Sequence, residues 1–228
     1  MDTSKDFRIL IAEDAVSRLE KRVRVWNLPY PLNKGLAMEL VKRARSRVME
    51  IKYSFLPLGM LLESEAIRDL EAIASELAKL LLPPKGVRIE SIAHRLAVAE
   101  IRYCLWILMG LRGRLGLGEE NRAEYALDVV AMEVGSVEKH PRADKLWVLR
   151  VGTEKFGLTV VTNVSGIKRG EVRGFAIAPP TEFFGIVSEG MLCTEPLPKE
   201  LKGKRVPLDM IHHRAELINL VNSIIGKK

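Results

Sequence analysis

The stretch VGSVEKHPRADKLWV, residues 134–148, sets a run rich in Val against a second run that begins at Leu146-Trp147-Val148, with a polar segment between them. It reads as two strands joined by a turn: Pro141 fixes one backbone dihedral, Asp144 can bond the turn's own amides, and Lys145 leaves toward the same end as Arg142. Two cations would then stand beside an aromatic. That combination suits a polyphosphate backbone with an unstacked base nearby, since cations attract phosphate at a distance and a ring stacks on a base.

Outward from this turn the same pattern continues. Leu127 to Glu138, Lys145 to Gly152, Gly157 to Val164, Arg173 to Ala178 and Gly190 to Thr194 are short runs rich in Val, Ile, Leu and aromatics, separated by Gly, Pro, Asn and Asp. Five short strands in about 70 residues predict a small closed barrel. A final amphipathic helix is expected from Asp209 to Ile225, with Ile211, Leu217, Leu220, Val221 and Ile224 facing inward, ahead of the terminal Lys227-Lys228.

Upstream the period changes from two to three and four, the mark of amphipathic helices. Four are predicted: Asp6 to Trp26, closed by Pro29 and Pro31; a second from after Asn33 to before Pro57; a third from Ser64 through Leu81 to Pro83-Pro84; and a fourth from Ile89 to Leu111. The glycines of Leu111 to Gly118 end this pattern and mark a boundary. The expected fold is therefore two-domain: an all-α helical bundle over residues 1–120, then a five-stranded β-barrel with a C-terminal helix over residues 121–228. Leu105 to Met109 is apolar around most of a helix and suits either a bundle centre or a dimer surface.

The 228 residues, 47% hydrophobic and 29% charged, can bury a real core, which excludes disorder and disulfide minidomains. Two cysteines, Cys104 and Cys193, fit no framework or metal cluster and are expected reduced. The net charge of +7 favours a polyanion partner. The helical half holds more of it: residues 1–122 carry 21 Lys and Arg against 16 Asp and Glu, whereas residues 123–228 carry 15 against 13. Arg18, Lys21, Arg22 and Arg24, with Lys42, Arg43, Arg45 and Arg47, form either a solvated face or a phosphate-contacting one. The absence of Gln and the presence of only six Asn match the composition of thermophile proteins. No stretch reaches the roughly 20 apolar residues of a membrane helix, and MDTSKDFRIL lacks a signal-peptide apolar region, so a cytoplasmic protein is expected.

Enzyme signatures are missing. No GxGxxG follows a strand, and no P-loop, GxSxG or HExxH occurs. His212 and His213 would diverge by about 100° on a helix, a poor metal pair. No catalytic residue, metal or cofactor is expected.

The pattern V-G-x-V-x2-H-P-x-A-D-K-L-x-V, then Val164-Ser165-Gly166, then Gly185 and Ser188-Glu189-Gly190-Met191-Leu192 resembles the EMAP-type tRNA-binding domain. That domain occurs in free-standing tRNA-binding proteins and in methionyl- and phenylalanyl-tRNA synthetases. The whole chain resembles a group of archaeal predicted RNA-binding proteins that carry it at the C-terminus. The resemblance, over about residues 124–195, implies an OB-fold, a five-stranded Greek-key barrel that binds oligonucleotides on a sheet face and its loops. It also implies recognition of tRNA shape with little sequence preference. Pro141, Ala143, Leu146, Gly166 and Gly190 are expected to build turns and corners, Asp144 to be structural, and Met191 to lie in the core. Lys145, Ser188 and Asn163 are the polar groups expected against RNA, with Trp147 standing where the family commonly has Tyr. Arg142, Arg150, Lys168, Arg169 and Arg173 are available around them. The family's Asn-Leu-x-Pro run is replaced by Ala178-Pro179-Pro180-Thr181-Glu182-Phe183-Phe184, which leans toward the phenylalanyl-synthetase style of barrel.

The expected function is a non-catalytic RNA-binding protein that holds tRNA, as a carrier or cofactor for an aminoacyl-tRNA synthetase. The alternative is an interaction or homodimerisation scaffold whose helical half docks on a translation factor or synthetase, with the barrel structural.

Overall fold

The computed structural model describes residues 1–226; Lys227 and Lys228 lie outside the described residues. The chain forms two compact units, Met1–Leu127 joined by the segment beginning at Leu220, and Asp128–Asn219.

The first unit contains α1 (Phe7–Arg24), α2 (Lys34–Lys52), α3 (Leu58–Leu62), α4 (Glu65–Leu81), α5 (Ile92–Met109) and α6 (Leu111–Leu115). The four long helices begin where a side chain can satisfy an orphan amide: Asp6, Asn33, Ser64 and Ser91 accept from the N–H groups of Arg8, Leu36, Ile67 and His94. Ser91 as cap is why the fourth long helix starts after the expected Ile89. The predicted apolar faces are buried, including Val16 and Leu19 on α1, Ala44 and Val48 on α2, and Leu70 and Leu77 on α4. Leu36 and Phe55, apolar residues at the two ends of the second predicted run, are exposed. Leu105, Ile107 and Leu108 are buried within this unit, so the apolar run of α5 serves as bundle centre.

Most of the basic runs are tied between helices. Glu100 of α5 holds both Arg18 and Arg22 of α1, Glu20 of α1 holds Arg24 and Arg45, Arg47 of α2 reaches Asp69 of α4 at 2.7 Å, and Lys52 reaches Glu13 at 2.9 Å. Half-exposed pairs of this kind contribute about 0.2–1 kcal/mol each. Lys42 and Arg43 remain exposed.

The glycine-spaced segment after α5 is more ordered than its composition suggests. Asp6 and Arg8 form a fully buried pair, with Nε and Nη2 of Arg8 donating to the carboxylate at 2.9 and 2.6 Å. The remaining guanidinium nitrogen, Nη1, donates to the carbonyls of Arg114, Leu115 and Gly118 at 3.3, 3.2 and 2.7 Å. These carbonyls lie at and just beyond the C-terminal end of α6, the pole at which a cation is favoured. The expected loop is thus a short helix stapled to the chain's first turn.

The second unit is an antiparallel sheet of β1 (Val129–Lys139), β2 (Trp147–Gly152), β3 (Gly157–Thr162), β4 (Val172–Phe183) and β5 (Ile186–Leu192), ordered β3-β2-β1-β4-β5. β1 serves two partners: residues 129–133 pair with β4 and residues 133–139 with β2, with a register shift between Val134 and Ser136 that bends the strand. Met132, Val134, Leu149, Val160 and Phe175 fill the interior. The arrangement is OB-like, with one difference from the expected closed barrel. The backbone ladder does not join β3 to β5, and side chains bridge that seam: Val161 N–H donates to Ser188 Oγ at 3.0 Å, and Thr159 N–H to Glu189 Oε2 at 3.2 Å.

β4 and β5 reach beyond their predicted limits and meet as a hairpin at Phe183 and Ile186. Pro179 and Pro180 do not end β4 because the register shifts between Ile177 and Thr181, so no ladder bond needs their missing N–H groups. The final helix α7 (Arg214–Ile225) starts later than the expected Asp209, since Leu208–Met210 forms a 3-10 turn and the N–H groups of His212 and His213 bond the Cys193 carbonyl. Leu217, Val221 and Ile224 are buried as predicted.

Two predictions follow from these interiors. Asp6→Ala leaves the Arg8 guanidinium buried without its counter-charge and is expected to destabilise the chain by about 3–5 kcal/mol, read by urea unfolding. Burial pushes the Cys193 thiol from 9.0 to about 12 and the Cys104 thiol well above 9.0. The folded chain therefore keeps protons that the unfolded chain releases, and stability is expected to fall as pH rises from about 9 toward 12. Unfolding midpoints across that range, with a shallower fall in Cys193→Ala, check it.

Candidate nucleic-acid interface

The turn between β1 and β2 is held by His140 rather than by Asp144. His140 N–H donates to the Leu146 carbonyl at 2.9 Å, and Arg142 N–H donates to His140 Nδ1 at 3.1 Å. Nδ1 is therefore the unprotonated ring nitrogen, and Nε2–H donates to the Phe183 carbonyl at 3.0 Å. The imidazole, 3% exposed, is a clamp between this turn and the β4–β5 hairpin. Asp144 points outward and pairs loosely with Lys139 at 3.4 Å. Arg142 and Lys145 are both exposed, and among the described residues neither is held in an ion pair.

Beside the turn a groove of about 680 Å³ opens along the end of the barrel. Leu146, Val161, Phe183 and Met191 supply its apolar wall, Asn163 a polar edge, and His213 and Glu216 a lip. Asn163 is exposed because the chain kinks there, the Val164 N–H turning back to Thr162 Oγ1 at 3.2 Å. Its own backbone amide and the His213 ring hold the Glu216 carboxyl below the usual carboxylate range. A carboxylate at the lip disfavours phosphate inside the groove and leaves that attraction to Arg142 and Lys145.

The nine expected RNA contacts do not form one patch. Arg142, Lys145 and Asn163 gather at the turn and groove. Trp147 is half-buried and pairs with Thr162 of β3 and Lys139 of β1, outside the groove's lining. Arg150 is exposed on the opposite face of β2, across from Ser136 and Thr159. Lys168 and Arg169 are exposed on a turn whose Gly170 N–H bonds the Val134 carbonyl. That lies six residues along β1 from His140, about 20 Å at strand rise. Two of the nine face inward. Ser188, 4% exposed, directs its hydroxyl to the seam and to the Gly190 carbonyl at 3.1 Å, and Arg173, 6% exposed, is paired with Glu171 at 2.8 Å and Glu195 at 3.6 Å. Strand alternation turns both side chains away from solvent, a consequence of register that residue type does not reveal. Gly190 has a steric reason of its own, since a Cβ there would stand 2.5 Å from the Ala176 carbonyl oxygen.

Sequence reasoning missed His140 as the clamp, the His213 and Glu216 lip, and Phe184. The last had a signal: Phe184-Gly185 occupies a two-residue hairpin turn, where Asn-Gly is the ordinary choice. Removing the clamp by His140→Ala is expected to lower stability by about 2 kcal/mol through two lost side-chain hydrogen bonds. Thermal unfolding checks it, and the loosened turn is expected to weaken RNA binding in a filter or fluorescence assay.

Comparison with known proteins bears on both units. A family model described as "Alpha helical domain" matches residues 1–118, and one described as "Putative tRNA binding domain" matches residues 129–216. Among solved structures, a MetRS related protein from Pyrococcus horikoshii matches at 26% identity over 40% of this chain and 100% of its own, with a TM-score of 0.35. No curated protein matches. The chain belongs to the alpha helical domain family through its first half, and behind that half it is similar to a tRNA-binding domain over residues 129–216.

Proposed function

We propose that the chain binds structured RNA, tRNA foremost, through its OB-like unit and without chemistry. The observation that carries this reading is the clamped turn: His140 fixes Arg142 and Lys145 as exposed cations next to a groove edged by Asn163, within the segment matched by the tRNA-binding family. Arg142 and Lys145 neutralise phosphates, releasing counterions, and Asn163 offers an amide to a base edge or a ribose. Trp147 supports the turn from β2, while Arg150, Lys168 and Arg169 extend the phosphate track outside this patch. Ser188 and Arg173 act from inside, keeping the seam and the β4 strand in place. On the helical unit Lys21, Arg24, Lys42 and Arg43 are the exposed members of the basic runs.

Binding of this kind reads shape and backbone more than sequence, which suits a carrier that holds tRNA for an aminoacyl-tRNA synthetase. The helical unit then provides the surface on which such a partner docks.

The test is a salt titration of tRNA affinity. The logarithm of the binding constant is expected to fall linearly with the logarithm of salt, and Arg142→Ala/Lys145→Ala to reduce that slope by about two phosphates' worth. Binding indifferent to salt, or a double variant with an unchanged slope, would sink the proposal.

A further inference from the structure

The β4–β5 hairpin turns through two residues, Phe184 and Gly185, with Phe183 paired to Ile186. Both central residues have positive φ, 46° at Phe184 and 94° at Gly185, the pattern of a type I′ turn. Glycine accepts that geometry freely, and Asn or Asp tolerates it at the first position. A phenylalanine does not: its Cβ crowds the backbone, and it is among the residues rarely found there. The ring gains no core burial in return, being 62% exposed, among the largest apolar exposures in the described residues. Strain at a site whose side chain faces solvent points to a use for that side chain outside the fold.

Its surroundings narrow the use. The Phe184 ring meets the His140 imidazole in a T-shaped contact, centroids 6.1 Å apart and planes at 75°. The same imidazole bonds the carbonyl of Phe183 and the amide of Arg142, so one buried residue orders the hairpin tip and the cationic turn together. An exposed aromatic held beside Arg142 and Lys145 combines a stacking surface with phosphate-attracting charge. A protein partner's apolar anchor would have to bring its neighbours against two uncompensated cations, whereas a nucleotide carries the matching phosphate with it.

We infer that Phe184 is the base-stacking platform of this interface, taking an unpaired nucleobase on its ring while Arg142 and Lys145 hold the flanking phosphates. The inference rests on the RNA-binding reading above and assigns to Phe184 the stacking role that the sequence suggests for Trp147. Every base has a π face, so the platform tolerates any base, in keeping with recognition that reads little sequence.

The experiment measures binding of unfractionated tRNA by the full chain and its Phe184→Asn, Phe184→Tyr and Arg142→Ala/Lys145→Ala variants across salt concentrations. Phe184→Asn relieves the turn, so its melting temperature is expected to equal or exceed that of the unsubstituted chain. Its affinity is expected to drop about tenfold at every salt concentration with the salt slope unchanged, since stacking displaces no counterions. Phe184→Tyr is expected to keep the affinity. If Phe184→Asn binds as well as the unsubstituted chain while the double cation variant fails, the platform is overturned and the RNA-binding reading stands. Equal loss in Asn and Tyr variants overturns it too, because the ring is then not what matters. If the unsubstituted chain binds no tRNA, both fall.

Discussion

A twisted five-stranded sheet leaves two unpaired edges, and the way this chain joins β3 to β5 governs the rest of its second unit. The strands approach without a backbone ladder, so the amides of Thr159 and Val161 need acceptors, and the side chains of Glu189 and Ser188 supply them. The groove borders this seam, lined by Val161 and Asn163 from one side and Met191 from the other. Ser188 and Glu189 thus shape the site without facing it.

Charge is arranged differently in the two units. The helical unit has the larger basic excess, yet much of it is internal: Glu100 and Glu20 each hold two arginines, and Arg8 is buried on Asp6. The pairs of Glu100 with Arg18 and Arg22 and of Glu20 with Arg45 set helix against helix. The OB-like unit has fewer cations in excess, but Arg142 and Lys145 stand on a turn whose hydrogen bonds are satisfied by His140, which frees their side chains for a ligand. For polyanion binding, the placement of unpaired charge counts for more than the net sum.

The local features were legible because they depend on neighbours in sequence. Helix starts at Asn33 and Ser64, the stops at proline, the apolar faces of α1, α2 and α4, and the strand–turn–strand reading of residues 134–148 follow from capping, dihedral limits and periodicity. Less legible were the features that join distant segments. The glycine-spaced segment from Leu111 to Gly118 reads as a domain boundary until Arg8, more than a hundred residues upstream, is seen to bond its carbonyls. Pro179 and Pro180 read as a strand's end until the register shift on β4 removes the need for their amides.

The candidate site divides along the same line. The sequence by itself determined two units of different period, a cationic turn at Arg142 and Lys145, and a motif of the tRNA-binding kind, because residue type and spacing carry that information. Which of the motif's side chains reach solvent was decided by the tertiary structure alone. Strand register sends Ser188 and Arg173 inward, His140 ties one loop to another 43 residues away, and the tightness of the hairpin sets Phe184 out in solvent at a backbone angle that disfavours it. Exposure and orientation are properties of pairings between strands, and a one-residue change in pairing reverses every side chain on the strand.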